Sequence, residues 1–180
     1  KMARADRYID ENKYPNLLAS SIPLTKKEIE VFYKLFSKEA FWPVIFSFAD
    51  KVRFNHEQWE QYVNVNRLFA ERAAAEADKN ATVWIHEYNL WMVPGILRQL
   101  RPDVKIGFFH HTAFPPADIF NIIPWRREII GSMLQCDYIG FHIPRYVENF
   151  VDVVKSHIPV KVRSEQSCAD RFLTYSCALG

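Results

Sequence analysis

Two periods divide this chain. Along its first half apolar residues recur at helical spacing, and along its second they fall in short β-prone runs separated by helical patterns. Thr25 followed by Glu28 is a capping-box pattern, and Ile29, Phe32, Tyr33 and Phe36 then predict a helix over 26–38 with one buried aromatic stripe. Trp42-Pro43 is expected to end or kink it, because proline restricts the residue before it and has no N–H to donate. Residues 1–24 read as loop, broken by Pro15 and Pro23, with a short strand expected at 21–24. Asn55 and Gln58 open a second predicted helix over 56–77, with Trp59, Tyr62, Val63, Phe69, Ala70 and Ala73 roughly on one side.

Beyond Asp78-Lys79-Asn80 the period changes. Residues 82–86 (TVWIH) read as a strand, 93–100 as a helix stopped by Pro102, and 104–109 as the next strand. Pro124 opens a predicted helix running to 135. A third strand follows over 138–142, and Pro144 opens a last helix over 145–157. Strand–helix alternation of this kind predicts an α/β fold with a doubly wound parallel sheet and right-handed crossovers. No internal repeat and no low-complexity linker interrupts it.

All three strands end in polar residues: His86-Glu87-Tyr88, His110-His111-Thr112, and His142. In open α/β sheets the carboxyl ends of the strands are where ligands bind, so adjacent parallel strands would gather these groups on one edge. A metal is a poor fit. His110 and His111 are consecutive and would point to opposite sides of a strand, and no HExxH or Cys-rich partner accompanies them. Glu87, flanked by His86 and Tyr88, could orient sugar hydroxyls or act as a base. Arg126 and Arg127 read more readily as an outward helix face than as a phosphate grip.

Composition narrows the classes. The 180 residues are 49% hydrophobic, enough for one domain with a sizeable core, and 15% aromatic, enough to line a pocket as well. A net charge of +2 with mixed signs and no basic stripe gives no reason to expect nucleic acid. No apolar run approaches a membrane span, and the three cysteines lack CxxC spacing, so a cytoplasmic protein without a disulfide framework is expected. Five glycines and no GxGxxG or P-loop place most of any nucleotide site outside these residues. Lys1 and Gly180 read as the ends of a piece of a longer protein.

Taken in order, the segments at 84–94 (WIHEYNLWMVP), 106–115 (IGFFHHTAFP), 119–130 (IFNIIPWRREII) and 137–150 (DYIGFHIPRYVENF) resemble the trehalose-6-phosphate synthase family of retaining glycosyltransferases. FYKLFSKEAFWP and WEQYVNVNRLFAE resemble it upstream, and the match covers about residues 24–154. HHTAFP and FHIPRYVENF look most like the branch that makes glucosylglycerol phosphate. The resemblance implies that residues 1–180 form most of the amino-terminal, acceptor-side, Rossmann-like half of a two-domain GT-B enzyme. The nucleotide-sugar domain would lie beyond Gly180. The glycine-rich donor loop and an acceptor-phosphate arginine would precede residue 1.

By position, the resemblance implies acceptor-binding roles for Tyr33, Trp42, Glu87 and Tyr88, and a donor-sugar contact for His111. Glu87 and His111 are its catalytic candidates. It implies ADP-glucose and glycerol 3-phosphate as substrates, neither metal nor other cofactor, and transfer without an enzyme nucleophile; a homo-oligomer is compatible with it. Glu87 departs from the aspartate usual in the trehalose enzymes, and its extra methylene would crowd a hexose phosphate while suiting a shorter acceptor. Ala113 departs from a common proline. Trehalose-6-phosphate synthesis and a non-catalytic sugar-phosphate-binding member stay open as alternatives, and the fragment alone is expected to be inactive.

Overall fold

The computed structural model describes residues 21–159 without a break, together with Lys13, Leu17, Ala19, Arg163–Ser164 and Tyr175–Ser176. Most of the expected amino-terminal loop lies outside the described residues. Residues 21–24, expected as a strand, have no regular structure.

The first helical rod begins as read. Thr25 and Glu28 form both bonds of a capping box at the start of α1 (Lys26–Ile29). It then departs from expectation, widening into a π-helical stretch, Glu30–Phe41, and running on as α2 (Trp42–Ile45). The buried positions show the wider turn. They fall in pairs, Val31-Phe32, Phe36-Ser37, Ala40-Phe41 and Val44-Ile45, while Ile29 and Tyr33 of the expected stripe are exposed. Pro43 does not end the rod: the Glu39 carbonyl four residues before it accepts from the Arg53 amide instead, so the missing N–H leaves that carbonyl satisfied.

Asn55 caps α3 (His56–Glu76) through a bond from the Gln58 amide, as predicted. Then follow β1 (Thr82–His86), α4 (Val93–Leu100), β2 (Lys105–His110), α5 (Ala117–Phe120), α6 (Arg126–Met133), β3 (Tyr138–Phe141) and α7 (Pro144–His157). Each boundary lies within two residues of the sequence reading; the short α5 was not foreseen. Arg126 bonds back to the Ile123 carbonyl, and Arg127 is exposed. Arg163–Ser164 (β4) and Tyr175–Ser176 (β5) pair antiparallel.

The sheet is parallel in the order β1-β2-β3, with Trp84 opposite Gly107, His86 opposite Phe109, and His110 opposite Phe141. Strand alternation gives it two unlike faces. Ile85, Ile106, Phe108, His110 and Phe141 face the core with α3, α4 and the first rod. Trp84, Phe109 and Tyr138 stand on the other face, over Gly107 and Gly140. A Cβ on Gly107 would come 2.4 Å from Trp84, and one on Gly140 would come 2.7 Å from Phe109, so both glycines are there for close approach. Trp59 of α3 stacks on Trp125 with centroids 4.7 Å apart, fixing the loop before α6.

Two polar anchors hold the amino ends of the strands. Asp137 accepts from the Ile106 amide and from Arg98, both at 2.7 Å. The Arg101 guanidinium takes up the carbonyl of Ala74 in the last turn of α3 and those of Ala77 and Asp78 just past its end, and pairs with Asp103, serving as a side-chain cap.

Candidate functional site

The carboxyl edge of the sheet is built by two loops. The first leaves β1 through Glu87, whose φ of 74° is unusual for a residue with a side chain and costs about 1–2 kcal/mol. The surroundings impose it. The Glu87 amide continues the ladder to the Phe109 carbonyl, and its carbonyl accepts from Leu90, so the chain must reverse within one residue. Helix α3 holds the far side of the loop. The Tyr62 hydroxyl donates to the Tyr88 carbonyl and accepts from the Trp91 amide, while Asn66 donates to the Tyr62 and Asn89 carbonyls and accepts from the Met92 amide. Both side chains are fully buried, so every one of these bonds is made without competing water.

Glu87 is thereby aimed. Its Oε1 accepts from the Tyr88 amide and from the Thr112 hydroxyl, each at 3.0 Å, and Oε2 keeps no protein partner among the described residues. Thr112 is held in turn by His110, whose Nδ1 lies 2.9 Å from the Thr112 carbonyl and 3.4 Å from its hydroxyl. His110 is fully buried against Trp91, Phe114 and Phe141. Burial pushes its pKa down to about 4, which keeps it neutral; the nearby Glu87 charge opposes the shift without cancelling it.

Tyr88 carries the edge toward the first rod. Burial, with the Glu87 charge adding to it, pushes the Tyr88 pKa up and leaves the phenol protonated, the nearby Trp42 and Asn89 side chains opposing the shift without cancelling it. Trp42 is half exposed and packs edge-on against Phe46 at 4.9 Å. Ser37 reaches Asn89 at 2.6 Å, a second tie between rod and loop.

The expected alternation of His110 and His111 holds. His110 turns into the core, and His111 emerges on the opposite side, exposed, with its Nε2 2.9 Å from Nδ1 of His86. A single N–H occupies that contact, so each ring fixes the tautomer of the other. The His142 ring lies 5.7 Å from that of His111. The three strand ends therefore gather as the sequence implied.

Of the sequence candidates, Glu87, Tyr88 and His111 stand along this edge, Glu87 tied to the Tyr88 amide and Thr112 and His111 to His86, and Trp42 lies near the Tyr88 hydroxyl. Tyr33 is on the exposed side of the π-helical stretch, and its ring contact is with Phe32 at 4.6 Å, so no contact joins it to the group. The polar latch of Tyr62 and Asn66 was missed. Its signal was an asparagine at the centre of an otherwise apolar helical face, a residue type that is buried only where its bonds are met.

The edge can present two loops and a half-exposed indole to a polyhydroxylated ligand, with a carboxylate oxygen and an exposed histidine at the ends of neighbouring strands. The profile of glycosyltransferase family 20 matches residues 3–176, more of the chain than the motifs alone had covered. A glucosylglycerol-phosphate synthase from Pseudomonas anguilliseptica is 59% identical over 96% of this chain, and one from a Synechocystis strain is 51% identical over 88%. A trehalose-6-phosphate synthase from Mycolicibacterium gilvum is 45% identical over 72% of it. The chain spans 23%, 32% and 26% of those three relatives' lengths. Its fold superposes on part of a UDP-forming α,α-trehalose-phosphate synthase from Burkholderia vietnamiensis with a TM-score of 0.71 at 30% identity, covering 74% of this chain and 30% of that one. The family match over nearly the whole chain and the shared fold have one reading: the chain belongs to glycosyltransferase family 20.

Proposed function

We propose that the full-length protein transfers glucose, with retention, from ADP-glucose to glycerol 3-phosphate, forming glucosylglycerol phosphate in the cytoplasm. The observation that carries this reading is the 59% identity with a glucosylglycerol-phosphate synthase over almost the whole chain, against 45% over a shorter span for a trehalose enzyme. Residues 1–180 would then be most of the acceptor-side half, with the nucleotide-sugar domain supplied by the rest of the polypeptide.

The chemistry asks little of the protein beyond placement. In a retaining transfer without an enzyme nucleophile, the acceptor hydroxyl attacks on the face the nucleotide leaves, and the departing phosphate takes its proton. The protein's part is to hold two substrates in line and to stabilise developing charge. Oε2 of Glu87 would accept a hydroxyl of the acceptor, with Tyr88 and Trp42 walling that side. His111, its tautomer fixed by His86, would hold a hydroxyl of the donor glucose. Tyr33, exposed on the first rod with its ring against Phe32, would add to the acceptor wall.

A second reading, trehalose-6-phosphate synthesis, is favoured by the Mycolicibacterium gilvum enzyme at 45% identity and the Burkholderia vietnamiensis structure at 30%. Nucleoside diphosphate release by the full-length protein separates the two when ADP-glucose is supplied and the acceptor is varied. Release that depends on glycerol 3-phosphate is expected. Dependence on glucose 6-phosphate would move the enzyme to trehalose synthesis, and release with neither would leave a non-catalytic member.

A further inference from the structure

We propose that Thr112 is the positioning residue that sets the acceptor carboxylate, so that the acceptor is recognised by Glu87 and Thr112 as one unit. The proposal rests on the reading of Glu87 as the acceptor's hydroxyl anchor, and it adds a residue from the second strand to that anchor.

A glutamate ending a loop has three side-chain torsions to lose before its carboxylate points anywhere. Here two donors meet on the same oxygen. The Tyr88 amide is fixed by the backbone of the first loop, and the Thr112 hydroxyl comes from the end of β2, each 3.0 Å from Oε1. Donors from the loops that follow two separate strands fix both the position and the plane of the carboxylate. The free oxygen, Oε2, is left with one direction.

The order of protons along this line is determined by the groups in it. A threonine hydroxyl has one hydrogen, and a carboxylate can only accept, so that hydrogen goes to Glu87. The hydroxyl's remaining lone pairs face His110, whose Nδ1–H is held at the Thr112 carbonyl, 2.9 Å away. His110 is fully buried, so its N–H has no water to turn to. Threonine's branched β-carbon adds stiffness about the first torsion, which keeps the hydroxyl aimed. Valine has the same shape and lacks the donor; serine keeps the donor and lacks the methyl.

The test uses the full-length enzyme and steady-state transfer from ADP-glucose, with glycerol 3-phosphate varied. Loss of one hydrogen bond to a charged group predicts that Thr112→Val raises the acceptor KM roughly 10- to 100-fold. The donor KM should stay near that of the parent, and Thr112→Ser should stay within about threefold of the parent's acceptor KM. If the valine variant does not fold, Thr112→Ala is read the same way. A merely structural role would raise both KM values together or leave serine as impaired as valine, and either result overturns the proposal. A parent that transfers, and whose Glu87→Ala variant loses acceptor affinity while Thr112→Val keeps it, overturns this inference alone. An unchanged acceptor KM in Glu87→Ala, or a parent with no transfer to any acceptor, removes the reading of Glu87 and this inference with it.

Discussion

His110 is the residue whose chemistry reaches furthest beyond its own contacts. Its ring is packed between Trp91, Phe114 and Phe141, its Nδ1 serves Thr112, and its Nε2 meets no partner among the described residues. Such a site accepts a neutral ring and resists a cation, which is why burial takes the pKa from an ordinary 6.5 to about 4 despite the Glu87 charge, with His111 and His142 adding to the drop. The sign of the consequence follows. Below pH 6.5 the unfolded chain binds a proton there and the folded chain does not, so stability falls as pH falls, and the loss continues until the folded ring titrates near pH 4. At about 1.4 kcal/mol per pH unit, acidification from 6.5 to 5 removes about 2 kcal/mol through this residue. Urea unfolding at pH 7 and pH 5 should show that loss in the parent and a smaller one in His110→Leu, whose apolar side chain suits the ring cluster. Equal losses in both would mean that acid sensitivity has another source.

At the scale of elements, the edge depends on α3 holding the loop that follows β1. Tyr62→Phe removes a donor from the Tyr88 carbonyl and an acceptor from the Trp91 amide, leaving the two groups only their long 3.4 Å bond to each other. Each such loss costs about 1–3 kcal/mol, so the variant should unfold at clearly lower denaturant and should bind acceptor more weakly through a loosened Glu87. Equilibrium denaturation read beside the acceptor KM checks both halves. The latch also explains which parts of the fold were legible. The strands, α3, α4 and α7 follow from local period and from caps such as Asn55, whose causes lie within a few residues. Tyr62 to Tyr88 and Asn66 to Met92 are bonds across 26 residues, and no local pattern encodes them. The π-helical stretch escaped for a related reason. Phe32, Phe36 and Phe41 fit either a narrow or a wide turn, and it is packing against Tyr62 and Trp59 that selects the wide one. The motif residues were easier to place than to connect: Glu87 and His111 stood out at strand ends, whereas the role of Thr112 needed the distance to Oε1.

For the whole molecule, the sheet's second face decides how residues 1–180 behave alone. Parallel sheets are ordinarily covered on both faces, because helices cross back over each side. Here one face is packed with Ile85, Ile106, Phe108 and Phe141, while the other presents Trp84 at 48% exposure and Tyr138 at 39%, stacked 5.9 Å apart beside Phe109. Substitution at the two glycines beneath them cannot relieve this, since a Cβ at either would strike a ring. Contiguous aromatic surface of this kind favours association. Purified residues 1–180 should therefore bind a hydrophobic dye and self-associate as concentration rises, and Trp84→Thr, which keeps β propensity while removing the indole, should weaken both. In the full-length protein Trp84 should instead be shielded from an aqueous quencher and dye binding should be small. The same experiment bears on activity: on the proposed reading, in which a second domain brings the donor to His111, the isolated residues should release no nucleoside diphosphate. A dye-silent monomer of residues 1–180 would mean that the open face needs no cover, and measurable transfer by it would mean that the acceptor-side edge holds both substrates unaided.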